Sequence, residues 1–208
     1  MDNELNPVEE RIYQLAQAYL LTVRKDDIHV KNALYFAFKL LEIESGQRDI
    51  VIPAIILHDV GWSEVSEAIM PKAFGPAADL SLTRIHEEAG ARIAANLLNE
   101  VGYDSGKSAE ILEIIHGHDT RESPLSLNDK IVKDADKLTR YSQCFPFFAG
   151  VLGLSLREYA EVLLTLGERW FHLVPSWEMA KAELKQWQCK IENNITPDRT
   201  FNQTLTRP

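Results

Sequence analysis

His58-Asp59 closes an apolar run, Ile50 to Leu57, and Val60-Gly61 follows at once. Burying an imidazole and a carboxylate at the end of a hydrophobic element costs several kcal/mol unless the pair is matched by partners or shares a metal. Imidazole nitrogen and carboxylate oxygen both ligate Zn, Mn or Fe, so adjacent His and Asp can reach one divalent cation. Donors of the same kind recur along the chain as His29, His86, His116, His118, Asp134 and Asp136. The chemistry open to such a set is metal-assisted: acidification of a bound water and polarisation of an oxygen on the substrate.

Spacing sorts some of these donors. Residues two apart on a helix point about 200° apart. One helix face therefore holds only one of His116 and His118, and only one of Asp134 and Asp136. His118 shares a stripe with Ile111, Ile114 and Ile115 and is read as the inward histidine. Asp134 lines up with Ile131 and Leu138, and Asp136 with Val132 and Arg140, so periodicity does not choose between them. Ala89 and Gly90, one turn after His86, leave room for a bulky neighbour, and His29 stands at a helix start.

The elements that must position these residues are helices, because helical periodicity dominates and no convincing period-2 run appears. The pattern predicts helices from Pro7 to about Val23, His29 to about Glu44, Asp49 to His58-Asp59, Thr83 to Val101, and Ser105 or Ser108 to about Asp119. Further helices are predicted over Asn128 to Leu138, Tyr141 to Val151 with a bend at Pro146, Ser155 to Leu173, and Ser176 to Asn193. Asp49 is the expected cap of the third helix, and Ser81 or Thr83 that of the fourth. The irregular stretch from Trp62 to Leu80 is a candidate lid or pocket wall beside His58-Asp59, with one short helix near Glu64 to Ile69.

Composition narrows the function classes. The 208 residues, 45% of them hydrophobic, suffice for one core, so a single domain is expected over residues 1–195 with a polar tail at 196–208. A formal charge of −9 without a Lys/Arg stripe argues against nucleic acid. A bound metal can still attract a small anion locally. Cys144 and Cys189 form no CxxC and read as reduced thiols. The acidic start, Met1 to Glu10, does not resemble a signal peptide, and no apolar run is long enough for a bilayer, which points to a cytoplasmic protein without a membrane partner. Trp170, Phe171, Trp177 and Trp187 are read as core, with a dimer face as the alternative, so a homodimer stays open.

Together these residues resemble the HD-domain superfamily of metal-dependent phosphohydrolases, over about residues 8 to 140. The match is the ordered set His29, His58-Asp59 and Asp136. It extends to "ILHDVGW" at Ile56–Trp62, "HEEAGARIAANLL" from His86, "IIHGHDTR" at Ile114–Arg121 and "VKDADKL" from Val132, which resemble the bacterial stand-alone members. The resemblance implies an all-α, HD-domain-like helical bundle. It implies a divalent ion (Mn, Fe, Co, Ni, Zn or Mg) held by His29, His58, Asp59 and Asp136, and it is what selects Asp136 over Asp134. It further implies hydrolysis of a small phosphorylated substrate, a nucleotide or other phosphomonoester, by metal-activated water. Asp59 then takes a catalytic role. Lys137 and Arg121 are the expected stabilisers of phosphoryl charge, with Arg84 and Arg140 behind them. His86 and His118 match positions that dinuclear members use for a second metal or for substrate, with the position of Asp59 bridging. Trp62 stands where some single-metal nucleotidases carry a Glu, and the GYP motif of cyclic-dinucleotide members is missing. The alternatives are a di-iron HD-type oxygenase built on the same six donors, and a metal- or nucleotide-binding regulatory module without turnover.

Overall fold

The computed structural model describes residues 4–23, 28–66, 68–73 and 79–193. The expected tail at 196–208 lies outside them, as do parts of the stretch between Trp62 and Leu80. Among the described residues there are α-helices and 3-10 turns and no strand. The chain runs α1 (Pro7–Val23), α2 (Ile28–Leu41), α3 (Arg48–Leu57), α4 (Leu80–Glu100), α5 (Ser105–Ile115), α6 (Leu127–Thr139), α7 (Phe145–Val151), α8 (Leu156–Leu166) and α9 (Val174–Glu192). Short 3-10 turns cover Val60–Glu64, Met70–Ala73 and Glu168–Trp170.

α3 is the axis of the molecule. Every residue from Ile50 to Leu57 is buried, as expected of a helix that is apolar on all sides. α1, α2, α5 and α6 pack around it. Pro53 lies inside it, past the first turn, and the helix begins one residue before Asp49, with Gln47 at the N-cap and Asp49 in the first turn. α4 starts earlier than its periodicity suggests because Asp79 caps it, accepting a hydrogen bond from the Ser81 amide. Pro146 does not bend a longer helix but sits at the start of α7, where its missing N–H has no partner to lose. α8 carries a full capping box, Ser155 with Glu158, and stops at Gly167, whose φ of 58° suits glycine.

Two contacts bring the chemistry-bearing ends together. The 3-10 turn Val60–Glu64 lies flat against α4, and a Cβ on Gly61 would collide with the backbone of His86 and Gly90. This close approach sets His86 beside the end of α3. α6 packs along α2 and α3, which brings Asp136 toward His29 and His58. The late aromatics close the other end. Trp187 stacks on Phe145 with centroids 4.9 Å apart and donates to the Ser142 carbonyl at 3.0 Å. Phe171 and Trp187 are buried, and Trp170 and Trp177 pack against the same core. Cys144 and Cys189 are both free thiols. No described helix is long and apolar enough to cross a membrane.

Candidate metal centre

A helix leaves its last carbonyls without partners, and this sequence uses two of them to aim histidines. α3 ends at Leu57, and the next residue, His58, places Nδ1 2.8 Å from the Ile55 carbonyl. α5 ends at Ile115, and His118 places Nδ1 2.8 Å from the Ile115 carbonyl. A carbonyl only accepts, so each Nδ1 carries the proton. Each Nε2 is then left with a lone pair in the neutral ring, the state a metal ligand needs. His118 faces inward through this turn and not through the helical stripe read from sequence, because α5 stops before it. His116 turns away and accepts from Arg84, 2.6 Å from its Nε2.

Donor atoms converge on two adjacent points. At the first, His29 Nε2 lies 3.1 Å from His58 Nε2, 3.2 Å from Asp59 Oδ2 and 3.1 Å from Asp136 Oδ1. His58 Nε2 is 3.4 Å from Asp59 Oδ2 and 3.7 Å from Asp136 Oδ1. At the second, His86 Nε2 and His118 Nε2 are 3.3 Å apart, and each is 3.9 Å from Asp59 Oδ1. Metal–donor bonds of about 2.0–2.2 Å separate neighbouring donors by about 2.8–3.8 Å at angles between 90° and 120°. The first set falls within that range, and in the second only the Asp59 distances lie just beyond it. The two groups, His29-His58-Asp59 and Asp59-His86-His118, are buried throughout and share Asp59, one oxygen to each side. The donor set therefore fits divalent cations.

Nearby charges tune these groups. Burial pushes the Asp136 carboxyl up, but the Arg140 guanidinium, 2.8 Å from Oδ2, together with His29 and His58, holds it well below the usual range. Burial, helped by the neighbouring His118, lowers the His86 pKa to about 4, so its ring is neutral near pH 7. Burial opposes protonation of His118, yet the carboxylates of Asp119 and Asp59 overcome it and raise its pKa. The same negative charge that holds a proton there would hold a metal ion.

Several of these residues stand out only in the structure. Trp62 donates from Nε1 to Asp59 Oδ1 at 2.9 Å and stacks on His86 with centroids 4.0 Å apart and planes 10° apart. One side chain thus braces both an oxygen of Asp59 and the ring of His86. Glu87 is fully buried and accepts from the Asp119 and Thr120 amides, both at 2.9 Å, pinning the turn that carries His118. Lys133, 3% exposed, donates to the carbonyls of Gly117, His118 and Arg121. Asp119 places Oδ2 3.6 Å from His86 Nε2 and 3.7 Å from His118 Nε2. It directly follows His118, as Asp59 follows His58, which was the signal available in the sequence.

The cations expected to meet phosphate are otherwise engaged. Lys137 donates to the Trp170 carbonyl at 2.8 Å and lies 3.2 Å from His172 Nε2. Arg121 donates to the Glu113 carbonyl and to Asp129, a carboxylate that also accepts from the Leu125 amide. Arg84 bonds His116, Glu87 and Glu88. Arg140 is the arginine at the centre, on Asp136 and over the rings of Phe148 and Trp170. Asp134 faces away and accepts from the amides of His172 and Leu173 at the start of α9.

Among protein families, the model of the HD domain matches residues 26–141 of this chain. That span covers α2 through α6 and the turn after it, and it contains every donor of both clusters. No curated protein and no solved structure matches the chain.

Proposed function

The chain belongs to the HD-domain family, and from that premise we propose that it is a metal-dependent phosphohydrolase acting on a small phosphorylated substrate, a nucleotide or other phosphomonoester. Proteins of this family are generally hydrolases, and a His/Asp cluster able to hold a metal is in place. The observation that carries the reading is the convergence of His29, His58, Asp59 and Asp136 from three places, α2, the end of α3 and α6, with the His58 tautomer already set for ligation. When bound, the cation supplies an acidified water and a Lewis acid for a phosphoryl oxygen.

The chain's own residues do the rest. Asp59 orients the centre through its two oxygens, and Trp62 fixes its rotation. Arg140 neutralises the outer oxygen of Asp136, which keeps that carboxylate ionised despite its burial. Lys137 and Arg121, in this reading, brace the turns around α6 and do not meet the phosphoryl group. A cleft of about 330 Å³ lined by Lys31, Asn32, Tyr35, Ser142 and Gln143 offers polar groups for the remainder of a substrate. Of its lining, Asn32 lies one turn along α2 from His29, on the same helix face.

The test is phosphate release from a panel of nucleotides and sugar phosphates with Mn, Co, Ni or Mg, alongside Asp136→Asn and a chelated control. Release that requires metal and is lost in Asp136→Asn is the expected result. Silence across the panel, with metal bound, would count against hydrolysis and favour the regulatory reading. The shared Asp59 also fits the di-iron oxygenase alternative. Oxygen uptake with an iron-loaded sample would shift the assignment to it.

A further inference from the structure

We propose that Asp119 is the terminal carboxylate ligand of a second divalent cation, bound together with His86, His118 and the Oδ1 side of Asp59. The inference rests on the metal-dependent reading above and assigns a role to a residue outside the set His29, His58, Asp59, Asp136.

The geometry of the two points is alike. Each has a pair of imidazole Nε2 atoms about van der Waals distance apart, 3.1 Å at one and 3.3 Å at the other. Each has an oxygen of Asp59. The first has a carboxylate of its own, Asp136, at 3.1 and 3.7 Å from its two imidazoles. The second has Asp119 at 3.6 and 3.7 Å. Both points are built from a His-Asp dipeptide at a helix end, with the histidine Nδ1 on the carbonyl three residues back. Two imidazoles, one private carboxylate and one oxygen of the shared Asp59 would thus serve each cation.

The second point is held in shape by groups that are not ligands. Glu87 fixes the backbone of Asp119 through its amide. Trp62 covers one face of His86, whose Nδ1 has no hydrogen-bond partner among the described residues. The Asp119 side chain forms ion pairs with the two imidazoles it faces, and its charge also acts on Arg140 and Lys133. Charge gives the carboxylate a purpose. Two divalent ions facing only Asp59 and Asp136 would leave two positive charges uncompensated in a buried site, and Asp119 removes one of them. The two carboxylates also differ in a way that ranks the sites. Asp136 is 9% exposed and tied to Arg140, whereas Asp119 is 28% exposed. The second cation is therefore the solvent-facing, exchangeable one.

The experiment is equilibrium dialysis of the full chain against Mn(II), with elemental counting and electron paramagnetic resonance, on wild type, Asp119→Asn and Asp136→Asn. Asp119→Asn is isosteric and leaves the amide bond to Glu87 in place, and Asp119→Ser serves as a smaller second variant. Circular dichroism melts establish that each variant is folded. The expected result is two Mn(II) per wild-type chain with an exchange-coupled signal. Asp119→Asn or Asp119→Ser then retains one, with an uncoupled spectrum and the second affinity weakened by more than about 10-fold, the loss seen when a group that merely supports a ligand is removed. Two ions bound with unchanged affinity in both Asp119 variants would overturn the assignment. So would a wild-type chain that binds a single ion, an outcome that leaves the one-metal reading standing. A wild-type chain that binds none would remove both.

Discussion

Replacing Lys133 with Met tests whether the turn around His118 is held by a buried ammonium. The lysine is 3% exposed and directs its three N–H donors at three carbonyls, those of Gly117, His118 and Arg121. Hydrogen bonds to a charged group contribute about 1.5–3 kcal/mol each before desolvation is counted. Against a gross of roughly 4–9 kcal/mol stands the several kcal/mol needed to bury an ammonium. That burial also lowers the lysine's pKa, with Asp129 acting in the opposite direction. Methionine fills most of the volume but leaves the three carbonyls without their donor and removes one positive charge near the buried Asp129, which keeps Arg121. The net destabilisation is about 2–4 kcal/mol, which in a chain of this size lowers Tm by roughly 5–15 °C. Melting followed by circular dichroism reads the loss, and Mn(II) binding reads its location, because the freed turn carries His118 and Asp119 and not His29. A Tm within about 1 °C of wild type would refute the argument, since it would mean that water or backbone relaxation satisfies those carbonyls equally well.

Two other outcomes follow from packing and from charge. Gly61→Ala drives a Cβ into the backbone of α4, where nothing flexible can yield, and is expected to cost at least about 2–3 kcal/mol in urea denaturation. Gly90→Ala meets the Ile115 side chain at 3.3 Å and should cost clearly less, so equal losses would show that the close approach at Gly61 is not a constraint. His172 has its pKa lowered to about 4, first by burial and then by Lys137, Lys133 and Lys130. The unfolded chain binds a proton at this histidine between pH 6.5 and 4 and the folded chain does not. Stability from this group is thus present above pH 6.5 and lost as pH falls through that window. His172→Gln keeps an acceptor for Lys137 and should flatten the fall of Tm between pH 6.5 and 4, and unchanged slopes would exclude the histidine as its source.

The sequence made the helices legible because their apolar stripes are what the core selects. The order of the helices and the burial of α3 follow directly from the residues Ile50 to Leu57. Helix ends were harder to place. α4 begins at Leu80 because Asp79 supplies a better cap than Ser81, and α5 stops at Ile115, where periodicity alone would carry it to Asp119. The donors grouped by the family resemblance do meet around Asp59. Periodicity could not separate Asp134 from Asp136, since both are fully or nearly buried and both sit on the same largely buried helix. What separates them is the partner across the gap, the backbone amides just before α9 for one and imidazoles for the other. Lys137 and Arg121 show the same limit. A cation's position along a helix fixes its direction but not which carbonyl or carboxylate, far away in sequence, reaches it first.

The likeness of the two His-Asp ends bears on how such a centre is built. In each, the apolar helix before the dipeptide ends in buried isoleucines, so its free carbonyls cannot turn to water. The imidazole N–H is the nearest donor, and by taking it the carbonyl rotates Nε2 toward the interior. The next residue leaves the helix at that point, which throws its carboxylate to the same side as the ring. Asp59, 3.4 Å from His58 Nε2, and Asp119, 3.7 Å from His118 Nε2, are two instances of this local outcome. The pairing of imidazole and carboxylate is therefore a property of a helix end under a dry core. What α2, α4 and α6 contribute is the second imidazole for each point and, through Asp136, the carboxylate that no dipeptide can provide. Ligation then depends on Gly61 and Lys133, which touch no donor atom of the first cluster but decide how closely the two helix ends approach.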